Sequence, residues 1–289
     1  MGRREVVDTR NNLFVKFYQL TAQCRPKFFV AENVLGILDA QYDEIRRNAN
    51  REIQADYVLL DPIRLKASDY GAPTRRERVF FIGYRADLVR PLTHKDLEAK
   101  RVTPGIKVAE ALRGLPVDVE RGWLTEDQSW RPVVRQPESS FWIQVNGNIP
   151  MGVGDSEAIH RHRDELTVSG CFGTRHSDKV EERYRQLKHG QKDVTSKAVR
   201  LDPEGFCPTL RAGTDSTKGS YQAVRPIHPT EPRVITPREA ARLQGFPDWF
   251  RFAPSKWHSF RQIGNSVSPI VAEAVFATIK AHLQPTTDP

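Results

Sequence analysis

One stretch constrains this chain more than any other: Phe28-Phe29-Val30-Ala31-Glu32-Asn33-Val34, with Leu35-Gly36-Ile37-Leu38 behind it. Apolar residues run straight into an acid and an amide, and a glycine follows. That is how a buried parallel strand delivers polar groups to its carboxyl end, the end where open α/β sheets bind ligands. An acid after an apolar strand also serves as a helix cap. The stretch alone does not separate the two readings.

Its surroundings extend the α/β pattern. From Arg10 to Thr21, Leu13, Phe14, Phe17, Tyr18 and Leu20 fall on one helical stripe, and Arg25-Pro26 ends that helix ahead of the strand. A polar segment after Gly36 with Tyr42 and Ile45 predicts a second helix, and Asp56-Tyr57-Val58-Leu59-Leu60 a second strand. The turn-rich Ala67–Pro73 loop then leads through Thr74-Arg75-Arg76-Glu77-Arg78 into a third strand, Val79-Phe80-Phe81-Ile82-Gly83. Three arginines at the entrance to so apolar a strand require an anionic or carbonyl partner for at least one guanidinium.

From about Val117 to Pro226 the apolar periodicity fades. Gly, Pro, Ser, Thr and Asp become frequent, with aromatics isolated at Trp123, Trp130, Phe141 and Trp142, which predicts a second, less regular domain. Between His160 and Arg225 stand 13 Lys and Arg against 9 Asp and Glu. His160-Arg161-His162-Arg163 has no cysteine or carboxylate pair at ligand spacing, so a phosphate-facing surface is the better reading and no metal is expected. Leu210-Arg211-Ala212-Gly213-Thr214-Asp215 and Lys218-Gly219-Ser220-Tyr221 hold glycines that admit a close backbone approach, although a plain loop also explains them.

Regular structure resumes with Thr236-Pro237-Arg238-Glu239, a capping box with proline at the first helical position; Ala240, Ala241 and Leu243 continue the helix and Gly245 closes it. In Gln262-Ile263-Gly264-Asn265-Ser266-Val267-Ser268-Pro269 a glycine turn is expected to open a last helix, with Ser268-Pro269 as cap and first residue. Gly-Asn-Ser at a helix entrance offers backbone N–H groups to a small ligand.

Composition narrows the classes. The 44 Lys and Arg against 36 Asp and Glu give a net charge of +8 and a pI near 9.5, compatible with a polyanionic partner. Three widely separated cysteines, Cys24, Cys171 and Cys207, argue against a disulfide framework or a paired-cysteine zinc site and for a cytoplasmic protein. Neither an apolar run after the first charges nor an 18-residue apolar window occurs, so no leader or membrane span is expected.

Four separated stretches together resemble the DNA cytosine-5 methyltransferases. Ala31-Glu32-Asn33-Val34 is similar to that family's Glu-Asn-Val motif and Thr74-Arg75-Arg76-Glu77-Arg78 to its Gln-x-Arg-x-Arg motif. Arg225-Pro226-Ile227-His228-Pro229 through Arg238-Glu239-Ala240-Ala241-Arg242-Leu243-Gln244-Gly245-Phe246-Pro247 resembles motif IX, and Gly264-Asn265-Ser266-Val267 resembles motif X. Asp8-Thr9-Arg10-Asn11-Asn12-Leu13-Phe14 matches the start of the helix before the Glu-Asn-Val strand.

The resemblance implies a partial S-adenosylmethionine-dependent (Rossmann-like) α/β sheet with an inserted, less regular target-recognition domain. The catalytic part would cover 1–116, the recognition domain 117–230, and the return to the catalytic domain 231–289. It implies methyl transfer from S-adenosylmethionine to carbon 5 of a flipped cytosine in a specific sequence of double-stranded DNA, as in restriction–modification. A thiolate adds at carbon 6 and makes carbon 5 nucleophilic. Glu32 would hold the N3 edge, Arg78 with Arg76 in support would hold the O2 oxygen, and Asn33 would fix the loop. Leu13, Asn265 and Val267 would line the cofactor site; Arg161, Arg163, Arg211 and Lys218 would meet DNA.

The chain departs from the family at three points. The motif's glutamine is Thr74, and neither a Phe-x-Gly-x-Gly loop nor a Pro-Cys pair occurs. By the family's order both would precede Met1. The expectation is therefore the carboxyl-terminal part of an enzyme, truncated or one subunit of a split one, with an incomplete cofactor site, inactive alone, and completed by a second polypeptide. A non-catalytic DNA-binding relic is the alternative. An RNA substrate is a third reading, which the long variable region argues against.

Overall fold

The computed structural model describes residues 11–120, 129–212 and 224–283. Trp123, Gly213, Asp215 and the Lys218–Tyr221 stretch lie outside them, as does Asp8-Thr9-Arg10. The chain divides into two compact units: residues 1–66, 77–101 and 271–289 in one, and 67–76 with 102–270 in the other. These packing units do not coincide with the segment boundaries expected from sequence.

In the first unit, helix α1 (Asn11–Cys24) leads to strand β1 (Phe28–Asn33), then α2 (Asp43–Arg51), β2 (Val58–Leu59), β3 (Ile63–Lys66), β4 (Glu77–Tyr84) and α3 (His94–Glu98). The sheet has β4 at its centre: β1 lies on one side, while β2 and β3 pair successively along the other. Every pairing is antiparallel. The parallel strand expected at Phe28–Asn33 is thus corrected. Among the described residues its only strand neighbour is β4, which returns alongside it without the crossover that a parallel pair needs.

Alternation along β1 and β4 sorts the side chains into two faces. Phe29 and Ala31 face Gly83 and Phe81 across the register and pack beneath α1 and α2 with Phe14, Tyr18, Ile53 and Tyr57. The rings of Phe14 and Phe81 lie 5.0 Å apart, and those of Tyr18 and Phe29 5.3 Å. Burial of four such aromatics contributes on the order of 1.5–3 kcal/mol each, which fixes the strand on which Glu32 stands. The predicted stripe of α1 is only half used: Phe14 and Tyr18 are buried, whereas Leu13 is 62% and Leu20 56% exposed. β3 was not expected from sequence, since Arg64 and Lys66 interrupt its short apolar pattern.

In the second unit the elements are short: α4 (Val108–Leu112), β5 (Arg131–Pro132), α5 (Ser140–Asn146), α6 (Ser156–His160), β6 (Thr167–Val168), α7 (Asp178–Gln186), α8 (Pro237–Leu243) and α9 (Lys256–Asn265). The final helix, α10 (Pro269–His282), runs mostly in the first unit. The irregular middle matches expectation. The capping box at Thr236 and Glu239 forms as expected, and Gly245, at φ +85°, closes α8.

Candidate active site

The β1–β4 register explains how Glu32 meets Arg78. Glu32 faces Phe80, so Arg78, two residues earlier on β4, shares its face of the sheet at the adjoining diagonal place. Arg78 Nε lies 2.6 Å from Glu32 Oε1, with the two side chains 15% and 27% exposed. Burial lowers the pKa of the Arg78 guanidinium and the Glu32 carboxylate raises it in opposition. The guanidinium stays charged. Its Nη1 donates to the Glu77 carbonyl at 2.9 Å. Asn33 turns back on the chain: its Oδ1 accepts from Val34 N at 2.8 Å, fixing the backbone beyond the strand.

The preceding arginine finds the carbonyl partners that its position demanded. Arg76 is 2% exposed and donates from Nη1 to Leu210 O at 3.1 Å and from Nη2 to Gly264 O at 2.8 Å. Thr74, also buried, donates from Oγ1 to Cys207 O at 3.2 Å, beside main-chain bonds from Arg75 N to Cys207 O and from Cys207 N to Pro73 O, both 2.9 Å. The residues leading into Arg78 are held by five hydrogen bonds that the side chain of Arg78 does not share.

The glycine turn expected at Gly264 is corrected. Gly264 and Asn265 end α9 rather than open α10. Glycine is required there for closeness: a Cβ would lie 2.5 Å from Ala212 N and 2.6 Å from the Arg211 carbonyl carbon. Two backbones touch at this point, and Arg76 bonds to both segments. Asn265 remains exposed and Val267 half-buried. Both belong to the second unit, whereas Leu13 belongs to the first.

Two of the three cysteines lie in the interior. Cys171 and Cys207 are 1% and 0% exposed, and burial pushes the Cys171 thiol up to about 12 and the Cys207 thiol also upward. Cys24 is exposed at the last position of α1.

The basic cluster of the middle region is substantially self-paired. Arg161 stacks 4.6 Å over the Trp130 ring and meets Glu157 at 3.1 Å, and Arg163 meets Asp164 at 3.2 Å. His160 Nδ1 contacts Asp164 at 2.6 Å, and His162 is buried. Arg211 is exposed, and Lys218 lies outside the described residues.

Sequence reasoning missed the charges inside α8. Arg238, Glu239 and Arg242 are each at most 2% exposed. Glu239 binds Arg233 at 2.7 and 2.9 Å, and Arg238 donates to Ser169 O at 2.8 Å and Phe250 O at 2.7 Å. Arg242 Nε donates to Asp248 Oδ1 at 2.8 Å, with Nη1 on Ala111 O at 3.1 Å. Two arginines four apart share one face of a helix, a pattern that reads as a solvated face, so the local sequence carried no signal of their burial.

A profile of the C-5 cytosine-specific DNA methylase family matches residues 1–281. The type II methyltransferase M.XorII of Xanthomonas oryzae pv. oryzae is 34% identical, with 98% of this chain aligned to 65% of that protein. M.DdeI of Desulfomicrobium norvegicum is 30% identical over 98% of this chain and 70% of its own length. A candidate DNA modification methyltransferase from an Escherichia coli prophage, solved by crystallography, superposes with a TM-score of 0.86 at 47% identity, covering 96% of this chain and 75% of its own. This chain therefore spans about two thirds to three quarters of the length of these relatives. Its α/β architecture is that of the S-adenosylmethionine-dependent methyltransferases. With the Glu32 strand, the arginine-rich strand entrance and both carboxyl-terminal motifs in place, the chain belongs to the C-5 cytosine-specific DNA methylase family.

Proposed function

We propose that this chain supplies the base-holding part of a DNA (cytosine-5-)-methyltransferase of restriction–modification type, acting on a cytosine flipped from double-stranded DNA. The observation that carries the reading is the Glu32–Arg78 pair. An acid and a guanidinium side by side match the adjacent N3 and O2 atoms on one edge of cytosine. As the base enters, Glu32 takes the N3 edge and Arg78 the O2 oxygen, where negative charge develops during addition at carbon 6. Arg76 acts by position, tying the entrance of β4 to Leu210 and Gly264.

S-adenosylmethionine, the methyl donor the family implies, supplies an electrophilic methyl group when bound. The family's motifs assign it Leu13, Asn265 and Val267, of which Leu13 and Asn265 are exposed, each in its own unit. They form an incomplete set, because no Phe-x-Gly-x-Gly occurs among the 289 residues.

The nucleophile comes from outside these residues. No Pro-Cys pair occurs among them, and the two buried thiols are held protonated. Residues 1–289 alone are inactive in this reading, and a further polypeptide segment, covalently joined or separate, completes the enzyme. Residues 117–230 serve as the target-recognition region, with Arg161, Arg163, Arg211 and Lys218 toward DNA, in the cytoplasm. No described helix is long and apolar enough to cross a membrane. The test is transfer of labelled methyl to duplex DNA by the chain supplied with a segment carrying both missing motifs. Activity lost in Glu32→Gln but retained in Asn33→Asp supports the assignment, and activity indifferent to Glu32 overturns it. The same lack of Pro-Cys favours the second reading, a DNA-binding relic, in which such a segment restores no transfer.

A further inference from the structure

A cavity of about 570 Å³ lies in the first unit, lined by one face of α2 and by the segment that joins β2 to β3. Its apolar lining includes Tyr18, Phe29, Leu59 and Phe81. Side chains alternate along each strand, so Phe29 and Phe81 stand on the sheet face opposite that of Glu32 and Arg78. The mouth is charged. Asp43, Arg46, Arg47 and Asn50 line it from successive turns of α2, and Asp61 and Arg64 line it from the other segment. Arg46 is already engaged, donating to Ile37 O and to Asp43. Arg47 and Arg64 are exposed and make no hydrogen bond or ion pair among the described residues.

The group that calls for a ligand lies deeper. Tyr18 is 1% exposed, yet its hydroxyl makes no hydrogen bond among the described residues. A buried tyrosine hydroxyl ordinarily finds a partner. Tyr57 shows the ordinary case in the same aromatic cluster: its ring lies 5.5 Å from that of Phe29, and its hydroxyl donates to Pro26 O at 2.6 Å. The Tyr18 ring lies 5.3 Å from the same Phe29 and lines the cavity instead. Burial raises the pKa of the Tyr18 phenol, so it keeps its proton and is a donor.

We infer that this cavity is a binding site for a small aromatic anion, whose ring packs on Phe29 and Phe81, whose buried end accepts a hydrogen bond from Tyr18, and whose charged group meets Arg47 and Arg64. The volume is that of sites for small organic ligands. A cation is the poorer fit, because three arginines stand against two aspartates in the lining. A neutral hydrocarbon is poorer too, because it leaves the phenol and both guanidinium groups unanswered.

The experiment is calorimetric titration of the full chain with para-hydroxycinnamate, whose ring hydroxyl offers the acceptor and whose carboxylate offers the charge. Saturable binding at one site is expected. The uncharged para-hydroxycinnamamide should bind about tenfold more weakly, and so should the acid to the double variant Arg47→Gln with Arg64→Gln. Tyr18→Phe keeps the ring and its packing; it should lose about tenfold for para-hydroxycinnamate and nothing for cinnamate, which lacks the acceptor. Failure of the wild type to bind overturns the site, as does an affinity for para-hydroxycinnamate unchanged in a folded Tyr18→Phe or in the double arginine variant. Melting curves check folding. If Tyr18→Phe does not fold, the wild type decides the part of the hydroxyl: para-hydroxycinnamate should bind about tenfold more tightly than cinnamate, and equal affinities overturn the assignment.

Discussion

Arg78 Nε and Glu32 Oε1 stand 2.6 Å apart because an antiparallel register puts them on one face of a two-strand ladder. The pair is fixed by backbone pairing before any substrate arrives, so replacing either member changes chemistry more than folding. In an enzyme completed with the missing motifs, Glu32→Gln should lower methyl transfer at least a hundredfold, in line with loss of a positioned acid–base group. Arg78→Lys keeps charge but loses the planar fork, and should also be severely impaired. Duplex affinity of both variants should stay near wild type, and activity and binding assays on the same preparations check this.

Arg76 acts at one remove. Arg76→Met should lose the bonds to Leu210 O and Gly264 O and leave two buried carbonyls unanswered, at about 1–3 kcal/mol each. Gly264→Ala should disturb the same junction from the other side, since its methyl has no room against Ala212 N. Denaturant melts of the two single variants and the double variant should show effects that fall short of additive, because both strike one contact.

The ion pair between Arg242 and Asp248 is wholly buried. Arg242→Met strands a carboxylate in the interior and should cost about 3–5 kcal/mol, whereas Arg242→Met with Asp248→Leu should recover much of that loss. A double-mutant cycle by chemical denaturation measures it.

Asp193 is buried and accepts from Arg183, from Ser196 N and from Ser196 Oγ, which holds its carboxyl down at about 2. A depressed folded-state pKa means stability that is complete above the ordinary aspartate value and lost as pH falls toward about 2. Asp193→Asn should therefore be less stable than wild type at neutral pH, by on the order of 2 kcal/mol. The gap should narrow between about pH 4 and pH 2, as melts at stepped pH would show.

Thiol chemistry separates the three cysteines. A thiol reagent under native conditions should label Cys24 promptly and leave Cys171 and Cys207 protected until the chain unfolds. Mass mapping of the labelled peptides gives the answer directly.

Much of the site was legible in the sequence because strands write their chemistry locally. An apolar run ending in Glu32-Asn33, and arginines crowding the start of another, predicted both the strands and the need for partners. Register is a long-range property, so neither the antiparallel pairing nor the diagonal meeting of Glu32 with Arg78 could be read from spacing. Gly264 misled for a related reason: glycine marks turns and close approaches alike, and only the position of Ala212 reveals which applies. The buried arginines of α8 were hidden because burial of a helix on all sides depends on what packs around it.

The most direct test of the account is a paired methylation assay on residues 1–289, alone and with a segment bearing the Phe-x-Gly-x-Gly and Pro-Cys motifs, using labelled S-adenosylmethionine and duplex DNA. The account predicts no incorporation by the chain alone, and incorporation at carbon 5 of cytosine on addition of the segment, abolished by Glu32→Gln. Transfer by residues 1–289 alone, or transfer by the completed enzyme that survives Glu32→Gln, would contradict it.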